Sequence, residues 1–98
     1  MALLRSPVPQ EVSVELGRVV ERWHQLPLRH AVSCALEVRA VIDALAGERV
    51  PGLGPSVLMD QLTVMVHDAC RDAVATGRPG AKFAELLAGR LAALRRTL

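Results

Sequence analysis

Two cysteines, Cys34 and Cys70, are the residues of this sequence best suited to redox chemistry. Helical spacing places Cys34 about 12 residues before the end of the second predicted helix, and Cys70 about 14 residues after the start of the third. If these two helices run antiparallel, both thiols lie at nearly the same height and a thiol pair is geometrically feasible. The simpler interpretation is two small buried side chains, since free cysteine usually behaves as a small hydrophobic residue. The thiol pair is therefore kept only as a hypothesis.

The three histidines, His24, His30 and His67, are the other candidates for metal chemistry. Zinc sites need three or four converging ligands, which commonly come in closely spaced pairs such as HxxxH or CxxC. No two histidines have that spacing, although His24 and His30 flank the turn expected at Pro27. The sequence predicts no metal site and no cofactor.

Acid–base catalysis needs carboxylates in an enclosed apolar cleft. Glu37 is the carboxylate expected to be half-buried, and its expected partner is Arg18, Arg29 or Arg39. The sequence has no nucleophile elbow, phosphate-binding loop, dinucleotide-binding motif or HExxH motif. We therefore expect a protein that is not an enzyme, and a small enzyme with a pocket between helices stays an alternative.

Three arginines, Arg90, Arg95 and Arg96, lie near the end of the last predicted helix, where the helix dipole favours cations. They are a possible basic patch, and a nucleic-acid-contacting regulator is a second alternative function. Against it, the net charge is only +2, and Trp23 and Phe83 are the only aromatic residues for stacking on bases. Nucleic acid is therefore a disfavoured partner, and ordinary solvated arginines are the simpler interpretation.

Apolar residues recur every three or four positions along four segments, which predicts helices at residues 9–25, 27–46, 56–76 and 81–97. Pro27 ends the first helix, because the residue before a proline is pushed out of the helical conformation. Clustered glycines and prolines mark the other two breaks. The predicted fold is an all-α, mostly antiparallel four-helix bundle with helices 2 and 3 as the inner hairpin. Residues 1–98 form one domain, and residues 1–8 are expected to be a flexible N-terminal segment.

Helix 2 has a wide apolar arc, which predicts a central helix with two neighbours. Its expected inward residues are Leu28, Val32, Ala35, Val38, Ile42 and Leu45, with Leu36 and Val41 widening the arc.

Helix 4 carries a short heptad seam, in which apolar residues alternate spacings of three and four: Ala84, Leu87, Leu91, Leu94 and Leu98. This pattern is typical of helix association. The composition is 51% hydrophobic, and a chain of 98 residues has limited capacity to bury that much apolar material. The sequence therefore predicts a non-enzymatic helical module that self-associates, with a dimer favoured, and that binds another protein. The expected interaction surface is Trp23, Leu87, Leu91, Leu94 and Leu98.

Three features of the sequence bear on location. No stretch reaches the roughly 18 consecutive apolar residues of a membrane span. The start, MALLRSPVPQ, lacks the basic and long apolar regions of a signal peptide. Eleven of the 12 basic residues are arginine, which together with abundant alanine, valine and leucine suggests a GC-rich bacterial genome. We expect a bacterial cytoplasmic protein with reduced thiols.

Overall fold

A computed structural model describes residues 7–48, 54, 57–77 and 80–98. These residues form four helices and no strand: α1 (Gln10–Gln25), α2 (Leu28–Ala46), α3 (Leu58–Ala75) and α4 (Gly80–Thr97). Every predicted helix boundary is correct to within two residues, and the all-α four-helix bundle is confirmed. No helix in the described part of the chain is long and apolar enough to cross a membrane.

The first two helix junctions follow from single residues. Leu26 has an extended backbone, as the residue before a proline should, and Pro27 is the N-cap of α2. Gly47 ends α2 in the left-handed conformation with φ of 74°, and its N–H donates to the carbonyl of Asp43. Glycine adopts that conformation without the steric cost that a Cβ imposes.

The core is a single apolar cluster to which all four helices contribute. Its most completely buried members are Ile42, Leu58, Leu62, Leu91, Val12, Val19, Val38, Val66 and Cys70. No polar or charged side chain is buried among the described residues. Residues 1–6 of the predicted flexible segment lie outside the described residues, whereas Val8 packs against this core.

The helices α1 and α4 run in the same direction. Pro9, which precedes α1, lines one small cavity together with Gly80 and Phe83 at the start of α4. At the other end of both helices, Arg22 Nη2 donates to the Leu98 carbonyl oxygen at 3.1 Å. These two helices make the most extensive contact of the bundle.

The helices α2 and α3 pack on each other, but they do not form an antiparallel hairpin. His30 Nε2 lies 3.2 Å from the Leu98 oxygen, so α2 begins where α4 ends. Ala73, near the end of α3, lines a cavity with Gly80, so α3 ends where α4 begins. Because α2 and α3 lie side by side, they run in the same direction, and the predicted inner hairpin is wrong. The eleven residues 47–57 between them can span at most about 36 Å, more than the roughly 27 Å length of an 18-residue helix.

The predicted inward side of α2 is correct in part: Val38, Val41 and Ile42 are buried, and Ala35 and Leu45 pack against the core. Cys34 and Val38 are buried, whereas Leu28, Val32 and Leu36 are 76%, 56% and 73% exposed. Residues four positions apart advance by about 40° around a helix, so this row of three turns progressively away from the core. The inward placement of Leu28, Val32 and Leu36 was therefore wrong.

Candidate functional site

The predicted interaction surface is part of the core. Trp23, Leu87, Leu91, Leu94 and Leu98 are all buried within the chain. The heptad seam of α4 is used inside the bundle, mainly beside α1. The prediction that these five residues form an open surface is wrong. Heptad spacing is the same whether the leucines pack against a second chain or against another helix of their own chain.

The two thiols lie near opposite ends of α4. Cys34 Sγ is 4.0 Å from the Thr97 carbonyl oxygen, whereas Cys70 lines a cavity of about 50 Å³ with Phe83. Thr97 and Phe83 are 14 residues apart in one helix, or roughly 21 Å. Both cysteines are free and buried, and burial raises the pKa of the Cys70 thiol. The thiol pair is therefore ruled out by the parallel course of α2 and α3.

The histidines do not converge. His30 lies against the Leu98 oxygen, His24 lines a groove between α1 and α3, and His67 is exposed on α3. Within residues 7–48, 54, 57–77 and 80–98, no group of three or more His, Cys, Asp or Glu side chains could hold a metal ion.

The groove between α1 and α3 is open and encloses about 600 Å³. Leu16 and Val20 form its apolar floor, and Ser13 and His24 are among its polar residues. Ser13 and His24 are eleven residues apart on one helix, about 16 Å, which is too far for a nucleophile and its base to share a hydrogen bond. No observation in this groove favours catalysis.

The three C-terminal arginines do not form one basic patch. Arg95 Nε is 3.4 Å from a carboxylate oxygen of Glu15 in α1, Arg90 lines a groove beside α2, and Arg96 is exposed. At about 100° per residue, these side chains leave α4 on different sides. The predicted basic patch is therefore wrong as a single surface.

Glu15 links α1 to α4 through two arginines. Its carboxylate accepts hydrogen bonds from Arg18 at 2.6 Å and from Arg95 at 3.4 Å. Partial burial acts to raise the pKa of the Glu15 carboxyl, but the hydrogen bonds and charges of Arg18 and Arg95 outweigh it and lower that pKa below its ordinary value.

The groove between α2 and α4 has an acid on one wall and a base on the other. Glu37 is on its α2 wall and Arg90 on its α4 wall, and the groove encloses about 300 Å³. Glu37 is exposed rather than half-buried, and the ion pairs of the described residues include neither Glu37 nor Arg90. The expected pairing of Glu37 with Arg18, Arg29 or Arg39 is therefore wrong. The groove is otherwise lined by small and apolar side chains: Ala40, Val41, Ala93, Leu94 and Thr97.

Comparison with known proteins gives no further guide: no family model, no curated protein and no solved structure matches the chain. Two exposed surface features are therefore the candidates for binding a partner. The two candidate features are the exposed row of Leu28, Val32 and Leu36 on α2 and the neighbouring groove between α2 and α4. The sequence pattern placed these three residues in the core. It did so because α2 is apolar on two adjacent sides, and spacing alone does not show which side is buried.

Proposed function

We propose that this chain is a non-enzymatic helical module that self-associates as a dimer and binds another protein. The observation that carries the proposal is the row on α2. Isolated exposed hydrophobic residues are normal, but Leu28, Val32 and Leu36 follow one another at one-turn spacing, each more than half exposed. Such a row is the pattern that a helix presents to a helical partner.

The strength of this association follows from the size of the row. Burying one leucine or valine side chain contributes about 1.5–3 kcal/mol. Loss of translational and rotational freedom costs at least about 4 kcal/mol. Three side chains exceed that cost by at most about 5 kcal/mol, so the proposed dimer is reversible and forms at concentrations of about 0.2 mM or higher.

Residence in the bacterial cytoplasm is part of the proposal. Both cysteines are free thiols, the state that the cytosol maintains. The arginine-rich composition supports the bacterial origin.

Light scattering on L36K tests the proposal. Replacing the exposed Leu36 with lysine places a charge on the proposed contact surface. We therefore expect L36K to stay monomeric at concentrations where the wild type dimerises. V14K is the control, because Val14 is also exposed but lies on α1, which makes little contact with α2. Equal masses for the wild type, L36K and V14K at every concentration would count against the proposal.

A further inference from the structure

Three residues of α2 lie on one line along the helix: Arg29, Leu36 and Asp43. Each is seven residues from the next, and seven residues complete two helical turns to within about 20°. The line therefore has the exposed Leu36 at its centre, a base about 10 Å toward the start of the helix and an acid about 10 Å toward its end. Arg29 is exposed, Asp43 is half-buried, and none of the ion pairs between described residues involves Arg29.

This line faces away from the core. Val38 is fully buried, and Leu36, two residues before it, lies about 160° away around the helix. The exposed row follows the line on one side, because Val32 lies about 40° from Leu36 and Leu28 about 80° from it in the same sense. A second helix laid along the line therefore covers Leu36 and Val32 and reaches Leu28 at its edge.

We infer that a second copy of this chain docks on this line, with the two α2 helices antiparallel and a twofold axis passing between the two Leu36 side chains. The inference rests on the proposed self-association and gives its geometry. In a twofold interface the same patch on both subunits must be complementary to itself. Here Leu36 meets Leu36 of the other copy, and Arg29 of each copy meets Asp43 of the other.

The charges select the direction of the second helix. A parallel pair would place Arg29 against Arg29, Arg39 against Arg39 and Asp43 against Asp43. Like charges in direct opposition disfavour that arrangement. The antiparallel pair forms two Arg29–Asp43 contacts and separates the two Arg39 residues by six residues along the helix axis, roughly 9 Å.

The charges also select the register. An antiparallel pair centred on Val32 would bury the same apolar row, but Arg29 would have no acid opposite it. Arg39 would then lie in front of the first turn of α2 of the other copy, where the helix dipole disfavours a cation. Centring the pair on Leu36 removes that conflict and places each Arg29 opposite an acid.

The size of the contact sets the expected affinity. The 19 residues of α2 span roughly 28 Å, and one helix covers a strip about 10 Å wide on another. Such a strip is well below the roughly 800 Å² that each partner buries in a specific interface of standard size. The dimer is therefore weak and reversible, in keeping with the few apolar side chains that form it.

A charge-swap experiment tests this dimer. R29E carries acids at both ends of the line and D43R carries bases at both ends, so each variant alone should dimerise at least about tenfold more weakly than the wild type. In an equimolar mixture of the two, every contact of the mixed dimer pairs an acid with a base. Sedimentation equilibrium should show the mixture and the double variant R29E/D43R dimerising within about threefold of the wild-type dissociation constant.

The same variants distinguish the antiparallel pair from the parallel one. In a parallel pair the wild type, each single variant and the double variant all oppose like charges. Neither single variant would then weaken the dimer, and only the mixture would associate more tightly than the wild type. That result would overturn the inference.

Two further measurements separate the possible failures. R96E makes the same substitution as R29E at an exposed residue of α4 and should leave the dimer unchanged. Circular dichroism should show wild-type helicity for R29E and D43R, because each places its charge at the end of α2 that the helix dipole favours. If the wild type dimerises but R29E and D43R do not weaken it, this interface is wrong while self-association stands. If the wild type is monomeric throughout, the proposed function fails as well.

Discussion

The helices α4 and α2 both carry several leucines but bury them differently. The leucines of the α4 seam, such as Leu87 and Leu91, are buried in the core, whereas Leu28 and Leu36 of α2 face solvent. In α2 the core positions are filled by smaller residues such as Cys34 and Val38. The comparison shows that helical spacing identifies an apolar side of a helix, but the packing of the other helices decides which side is covered.

Replacing one leucine in each helix should separate these two roles most clearly. We expect L91A to lower the free energy of unfolding by about 2–5 kcal/mol, because it leaves a cavity at a fully buried position. We expect L36A to change it by no more than about 0.5 kcal/mol, because the side chain is exposed in the monomer. Urea unfolding followed by circular dichroism, at a concentration where the chain is monomeric, measures both. Equal losses would contradict the burial of α4 and the exposure of α2.

Replacing the two glycines inside helices α1 and α4 should have a smaller effect on stability. A Cβ meets nothing within 4 Å at either Gly17 in α1 or Gly89 in α4. G17A and G89A should each raise the free energy of unfolding of the monomer by about 0.4–1 kcal/mol. Neither variant should change self-association through the row on α2, since Gly17 and Gly89 lie on other helices. Thermal unfolding measures the stability and light scattering measures the association, and weaker association of either variant would move the interface away from α2.

The smallest expected effect concerns the polar link between α1 and α4. The pKa of the Glu15 carboxyl is lowered in the folded chain, so its contribution to stability is complete above its unfolded pKa and is lost as the pH falls through the lowered value. E15Q should therefore cost up to about 1 kcal/mol near pH 7. As the pH falls through the lowered pKa of Glu15, the stability difference between the wild type and E15Q in urea unfolding should shrink, and a difference that does not shrink would assign the effect to packing.

The helix boundaries could be predicted because single residues determine them. Pro27 excludes its neighbour from the helix, and Gly47 supplies the left-handed cap. The direction of the helices could not be predicted, because the connection of residues 47–57 is long enough for either a hairpin or a parallel crossover. That one ambiguity produced the wrong height match between Cys34 and Cys70.

The candidate surface could be predicted only in part. The expectation of self-association came from the apolar content, but the residues assigned to it, such as Leu91 and Leu94, are needed to close the core. Glu37 was selected as an unusual carboxylate, but its position opposite Arg90 depends on how α2 packs against α4. Spacing along a single helix carries no information on that packing.

Sedimentation equilibrium of the unmodified chain is the most direct test of its proposed role. The chain has a mass of 10.6 kDa. Self-association through the open side of α2 predicts an apparent mass that rises with concentration, from the monomer toward twice that value, between about 10 µM and about 1 mM. A constant mass of 10.6 kDa over this range would contradict the account.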